Sequence, residues 1–224
     1  MGKMIVIDGL DGSGKATQAE ILRDYLSSRG CDTYTLDLPF YSDPSSTLVK
    51  MYLDGELGDN PADVNAYAAS TFYAVDRYAS YKKHWQKEYE SDKIIVANRY
   101  TTSNACHQMT KLSEDKWDEY LQWLFEFEYT KLGIPEPDCV IYLDMPVDIS
   151  QKLLLKRYKG DENKKDVHER DVQYLFDCHK AAVYAAEKLG WHRVICGKNG
   201  EPFTIDEISA EVCRIAEREL LGND

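Results

Sequence analysis

The 224 residues, 43% apolar and 29% charged, suit one α/β domain of ordinary size and exclude a disordered chain. No apolar run approaches the roughly 20 residues that a membrane-spanning helix needs. A formal net charge of −12 without a basic patch argues against nucleic acid as the partner, since a phosphate backbone demands clustered Lys and Arg. A small anionic ligand needs only a few local cations and stays open.

In chain order, short continuously apolar runs at 4–8, 33–38, 94–97, 139–144 and 194–196 read as strands. Longer segments at 16–29, 45–54, 61–87, 113–132, 146–158, 167–189 and 204–221 read as helices. Gly30, Gly133 and Gly190 stand where helix C-termini favour a left-handed residue. Thr204 with Glu207 forms a capping box, and Pro61 and Pro146 suit first-turn positions. Strands that do not alternate are those covered by helices on both faces. The expected fold is therefore α/β, a doubly wound parallel sheet in one domain spanning 1–224, with ligands beyond the strands' C-terminal ends. The six cysteines show neither a C-x-x-C pair nor zinc spacing, which fits free thiols in a reduced, cytoplasmic setting. The opening MGKMIVIDG enters strand-like sequence at once, so no export signal is expected.

The sharpest motif is Gly9-Leu10-Asp11-Gly12-Ser13-Gly14-Lys15, between the first strand and the first helix. G-x-x-x-x-G-K spacing lets backbone N–H groups of a tight turn face a phosphate at a helix N-terminus, with the lysine reaching the terminal phosphates. Gly9, Gly12, Ser13, Gly14, Lys15, Ala16 and Thr17 are thus the expected triphosphate-binding residues. Ala16 stands where a Ser or Thr usually ligates Mg²⁺, and Thr17, one step further, points elsewhere on the helix.

Other strand ends carry polar groups. Asn98-Arg99-Tyr100 follows the third strand, and the Arg99 fork suits a phosphate, although pairing with a surface carboxylate is the plainer alternative. Asp144, ending the fourth strand, reads mainly as a stabiliser of the next helix start. Segment 61–87 interleaves Tyr67, Phe72, Tyr73, Tyr78, Tyr81 and Trp85 with Asp76-Arg77. Most of these rings are expected in the core. Arg77 beside an aromatic face makes a platform for a base. The charged run 156–170 is either a solvated loop or a lid carrying Arg157, Lys164, Lys165 or Arg170.

The segments IDGLDGSGKATQ, LPFY, STFYAVDRY, NRYTTSNACHQ, VIYLDMP and HERD, in this order over nearly the whole chain, resemble the thymidylate kinase family of P-loop kinases. The resemblance implies a five-stranded parallel core, a homodimer, and phosphorylation of dTMP to dTDP by ATP with Mg²⁺. It implies that Lys15 holds ATP phosphates, and that Asp11 approaches the acceptor or its metal. Arg99 would hold the acceptor phosphate, Tyr73 would stack on thymine, and Arg77 would bond the base edge. Leu38, Tyr41, Asn104 and His107 would complete the acceptor site. Gly12 replaces a loop arginine, so Arg157 or Arg170 of the lid (about 156–170) would supply that charge, with Glu169 near the metal. Departures from the family pattern are Asn98 for the Asp of an Asp-Arg pair, Leu38 opening the Phe-Pro-x-Tyr segment, and His107 for an aromatic residue beside the sugar. They leave open another pyrimidine monophosphate (dUMP, UMP or CMP) as acceptor, or a weakly catalytic nucleotide-binding protein.

Overall fold

The apolar runs become one five-stranded parallel sheet, in a computed structural model that describes residues 2–161 and 171–222. The strands are β1 (Lys3–Gly9), β2 (Thr33–Asp37), β3 (Ile94–Asn98), β4 (Cys139–Asp144) and β5 (His192–Ile195), in the order β2-β3-β1-β4-β5. The fifth begins two residues earlier than the sequence suggests. From β1 the chain winds first toward β2 and β3, then to β4 and β5 on the other side. This places the loop after β1 at the point where strand order reverses, the ligand crevice of such sheets.

Side-chain alternation explains why the strands are apolar throughout. Ile5, Ile7, Val96, Ile141 and Leu143 pack with Leu22 and Leu26 of α1 (Lys15–Ser28) and with Val212 and Ile215 near the C-terminus. Met4, Val6, Ile95, Ala97 and Val140 pack on the opposite face against Tyr81, Trp85 and Tyr100. The remaining helices are α2 (Thr47–Leu53), α3 (Ala66–Ser80), α4 (Gln86–Glu90), α5 (Thr102–His107), α6 (Trp117–Phe125), α7 (Val147–Arg157), α8 (Val172–Leu189) and α9 (Ile205–Ala216).

Several expected helices are subdivided. Segment 61–87 does not run as one helix, because Asn65 has extended backbone and its side chain accepts from Ala68 N at 2.9 Å, starting α3 afresh. The helix then widens over Tyr81–Trp85 before α4. Segment 113–132 likewise splits into α6 and a wide π-type stretch, Glu126–Lys131, which carries the fully buried Glu128. Pro146 caps α7 instead of opening its first turn. Asp171 caps α8, accepting from Tyr174 N at 2.9 Å, and the expected earlier start at 167 lies outside the described residues. Asp144 does not serve the next helix start. It accepts from Arg193 Nε on β5 and pairs with His179 Nε2 on α8, each at 2.6 Å. A hairpin of β6 (Gly197–Lys198) and β7 (Glu201–Pro202) turns through Asn199-Gly200. Its left-handed φ of 56° and 81° is the geometry that Asn-Gly favours.

All six cysteines are unpaired thiols, and no helix among the described residues is long and apolar enough to cross a membrane. The capping box predicted at the last helix is present: Thr204 N donates to Glu207 Oε2 at 2.8 Å, and Glu207 N to Thr204 Oγ1 at 3.2 Å. Thr204→Ala is therefore expected to cost about 1 kcal/mol. A lowered urea midpoint at unchanged slope checks this.

Candidate functional site

The turn after β1 closes because its glycines reach backbone angles other residues avoid. Gly12 has φ 81°, and a Cβ there would stand 2.6 Å from Ser150 O and 3.0 Å from Leu154 Cγ of α7. This contact explains why no loop side chain occupies the position. Gly14 (φ 89°) caps α1 without a side chain, leaving the first amides of that helix to a ligand or water. Ser13 is buried, whereas Ala16 and Thr17 are exposed on α1. Lys15 folds back into the turn, its Nζ donating to Leu10 O at 2.9 Å and lying 3.4 Å from Asp11 Oδ1. Burial, reinforced by Arg99, pulls its ammonium down to about 8, with Asp11 opposing.

At the end of β3 the backbone turns sharply. Arg99 takes a left-handed φ of 67°, its N–H bonded to Ile7 O at 3.1 Å. Its guanidinium donates to Asp11, and Nη1 lies 3.4 Å from His107 Nε2. Burial alone would raise the Asp11 carboxyl. Arg99 and Lys15 outweigh it and hold the group well below the usual carboxylate range. As in the plainer reading, Arg99 pairs with a carboxylate, but that carboxylate is Asp11 of the turn after β1, and the Arg99 side chain is only 18% exposed. Sequence reasoning missed Asp8. Fully buried, it accepts from Gly9 N at 2.8 Å, Thr102 Oγ1 at 2.5 Å and Ser103 Oγ at 2.8 Å, tying the turn after β1 to the start of α5. A charged last residue in an apolar strand was the available signal.

Beside Arg99 opens a cavity of about 350 Å³ that gathers every expected acceptor residue: Asp11, Leu38, Tyr41, Tyr73, Arg77, Arg99, Asn104 and His107, together with Arg157 from the end of α7. Spacings of three and four place Tyr73, Asp76 and Arg77 on one face of α3. Asp76 fixes the segment after β2, accepting from Phe40 N at 2.8 Å and Ser45 Oγ at 2.6 Å. Tyr73 stands edge-on to Tyr52, with ring centroids 6.5 Å apart.

Arg77 does more than line the cavity. Its Nε and Nη2 donate to Glu128 Oε2 and Oε1 at 2.6 and 2.8 Å, a buried bidentate pair lying 5.5 Å from the Tyr100 ring centroid. Thr101 Oγ1 also donates to Glu128 at 3.0 Å. Asn104 Nδ2 lies 3.4 Å from both Glu128 Oε1 and Ser70 O. Glu128, too, was missed, because nothing in its local pattern separates it from a solvated helix residue.

Among the described residues no three His, Cys, Asp or Glu side chains gather as a metal cluster. Any Mg²⁺ would rest on phosphate oxygens plus one or two carboxylates, a donor set that this ion accepts and that Asp11 fits. Glu169, Arg170, Lys164 and Lys165 lie outside the described residues, as does most of the expected lid.

A family model described as thymidylate kinase matches residues 7–199. A thymidylate kinase of Mycobacterium tuberculosis is 28% identical over 204 residues, covering 89% of this chain and 93% of its own. A probable thymidylate kinase of Thermococcus gammatolerans is 26% identical over 224 residues, 99% of each chain. A solved thymidylate kinase structure from Candida albicans superposes with a TM-score of 0.67 at 20% identity, over 96% of this chain and 91% of that one, a likeness of fold.

Glu128→Gln keeps the shape of the buried pair but removes the countercharge of Arg77. It is expected to destabilise the protein by about 3 kcal/mol, as breaking a buried ion pair does, seen as a lowered midpoint in chemical unfolding.

Proposed function

The chain belongs to the thymidylate kinase family of nucleoside monophosphate kinases, and on that premise we propose that it moves the γ-phosphate of ATP onto dTMP, giving dTDP and ADP. ATP lies with its phosphates in the turn after β1, and dTMP occupies the cavity beside Arg99. The observation that carries this reading is the polar edge set by Glu128. With Nε and one Nη2 hydrogen spent on Glu128, Arg77 keeps free N–H groups for a carbonyl. Asn104 turns its amide nitrogen toward two acceptors, Ser70 O and Glu128, so its oxygen remains to accept. One donor beside one acceptor matches the carbonyl and N3–H of thymine or uracil and opposes the reversed pattern of cytosine. Thymine over uracil then rests on one methyl group, about 1–3 kcal/mol.

Transfer asks mainly for alignment and charge stabilisation, since the γ-phosphoryl passes through a loose transition state and needs no covalent enzyme intermediate. Lys15 grips the donor phosphates, Arg99 holds the acceptor phosphate, and Arg157 approaches from α7. Asp11 keeps Lys15 and Arg99 together until the phosphates arrive. Asp11 and the phosphate oxygens would hold Mg²⁺, whose charge would offset that of the two nucleotides when bound. Tyr73 presents its ring to the base, and His107 lies beside Arg99 at the sugar side. The reading includes a homodimer and a cytoplasmic setting, the latter supported by six unpaired thiols.

Coupled ADP release across dTMP, dUMP, dCMP and UMP tests the proposal: dTMP is expected to lead, dUMP to follow and dCMP to fail. Preference for a ribonucleotide would overturn it. Lys15→Ala is expected to lose at least about 10²-fold in kcat, and Arg99→Ala to raise the KM for dTMP most. A triphosphate favours the charged form of Lys15, whose ammonium otherwise loses its proton near pH 8. ATP affinity is therefore expected to be flat below pH 7 and to fall as pH rises past about 8, with proton uptake on binding. Calorimetry in buffers of different ionisation heat reads both.

A further inference from the structure

One half-buried amine takes no part in the phosphate chemistry. After α5 the chain makes a single turn, Met109–Lys111, and from it Lys111 bonds two other helices. Its Nζ donates to Tyr52 Oη of α2 at 2.7 Å, and to Val64 O, just before the Asn65 cap of α3, at 2.8 Å. The nitrogen lies 4.7 Å from the Tyr52 ring centroid. Among the described residues no carboxylate pairs with it. Burial pulls its ammonium down to about 7, with the Cys178 thiol of α8 opposing. A cation kept without a counterion costs stability that a methionine of similar length would not. Packing alone therefore does not account for a lysine at this position.

The helices it joins wall the cavity. Leu53, next to Tyr52, lines it, as do Tyr73 on α3 and Asn104 and His107 on α5, whereas Lys111 stands outside. Tyr52 is buried and edge-on to Tyr73, with ring centroids 6.5 Å apart, a spacing at which aromatic rings interact. A shift of Tyr52 is thus felt by Tyr73 directly. A shift of Val64 moves the start of the helix that carries Tyr73 and Arg77.

We infer that Lys111 is a positioning residue of the acceptor site: acting through Tyr52 and Val64, it sets where Tyr73 stands against Asn104 and His107, and so the fit of the pyrimidine ring. The ligand in this inference rests on the nucleotide kinase reading above, whereas the placement of Tyr73 does not. The plainer alternative is a stitch that serves stability alone.

The full chain is labelled with 3-fluorotyrosine, and the Tyr73 resonance is assigned by its loss in Tyr73→Phe. Thymidine, which carries no phosphate, probes the ring pocket of the unlabelled protein. The variants are Lys111→Met and Tyr52→Phe, the second of which removes the accepting oxygen. Lys111→Met is expected to melt no earlier than wild type and to move or broaden the Tyr73 resonance without ligand. It should bind thymidine about tenfold more weakly, as a misplaced contact does. Its affinity for ATP should stay within about twofold of wild type, and its KM for dTMP should rise more than kcat falls. The two changes together should cost less than their sum, since both break one contact. Either an unmoved Tyr73 resonance or wild-type thymidine affinity in Lys111→Met overturns the inference, as does early melting with equal losses for ATP and thymidine. Should Lys111→Met melt early with unequal losses, Tyr52→Phe decides: a moved resonance and weakened thymidine binding uphold the inference, and an unchanged protein overturns it. A wild-type chain that binds no thymidine and phosphorylates no dTMP would sink the kinase reading, and the ligand-free Tyr73 resonance then decides the role of Lys111 by itself.

Discussion

Two cations meet on one carboxylate. Asp11, in the turn after β1, receives Arg99 from the end of β3 and lies 3.4 Å from Lys15 Nζ at the start of α1. Without Asp11 the two positive groups would repel across a site shielded from water, and the turn would have little reason to lie against the third strand. With it, the turn after β1, the start of α1 and the end of β3 are held together before any ligand arrives. Such preorganisation is what an electrostatic catalyst needs, since charges already fixed in place cost no rearrangement during transfer.

A second constraint is independent of the first. Glu128 is fully buried, and Arg77, Thr101 and Asn104 all turn toward it from α3 and the start of α5. The carboxylate fixes the hydrogen-bonding sense of two residues that line the cavity. On the proposed reading, base recognition depends on a side chain that is itself buried outside the cavity. The Asp11 end and the Glu128 end of the site are thereby built from different parts of the fold, joined through Asp8 and the hydroxyls of α5.

Local chemistry was legible where neighbours in sequence are neighbours in space. The turn from Gly9 to Lys15 and the Thr204 capping box depend on residues a few positions apart, and the apolar strands announce themselves by composition. Arg99 was readable as a cavity residue because it follows a parallel strand at the sheet's carboxyl edge, whereas Arg77 drew notice as a cation within an aromatic helix segment and Tyr73 only through the resemblance to a family pattern; all three line the one cavity. Glu128 and Asp8 were not legible. Their partners come from 51 and 94 positions away, and a lone acidic residue carries no mark of the burial that makes it matter. The single long helix expected over 61–87 failed for a related reason. Periodicity there is real, but Asn65 offers its side chain to a backbone amide and restarts the helix. The bond from Lys111 to Tyr52 likewise exists only once the turn after α5 lies against α2.

Arg99 holds its place with φ at 67°, a conformation that a residue with a Cβ adopts at a cost of about 1–3 kcal/mol. Glycine would rest there comfortably, and a chain shaped only for durability would drift toward it. The guanidinium at this bend is therefore kept against the preference of its own backbone, and robustness and usefulness pull in opposite directions at one amino acid. On the proposed reading, glycine at position 99 would relax the backbone while taking away the grip on an anionic acceptor.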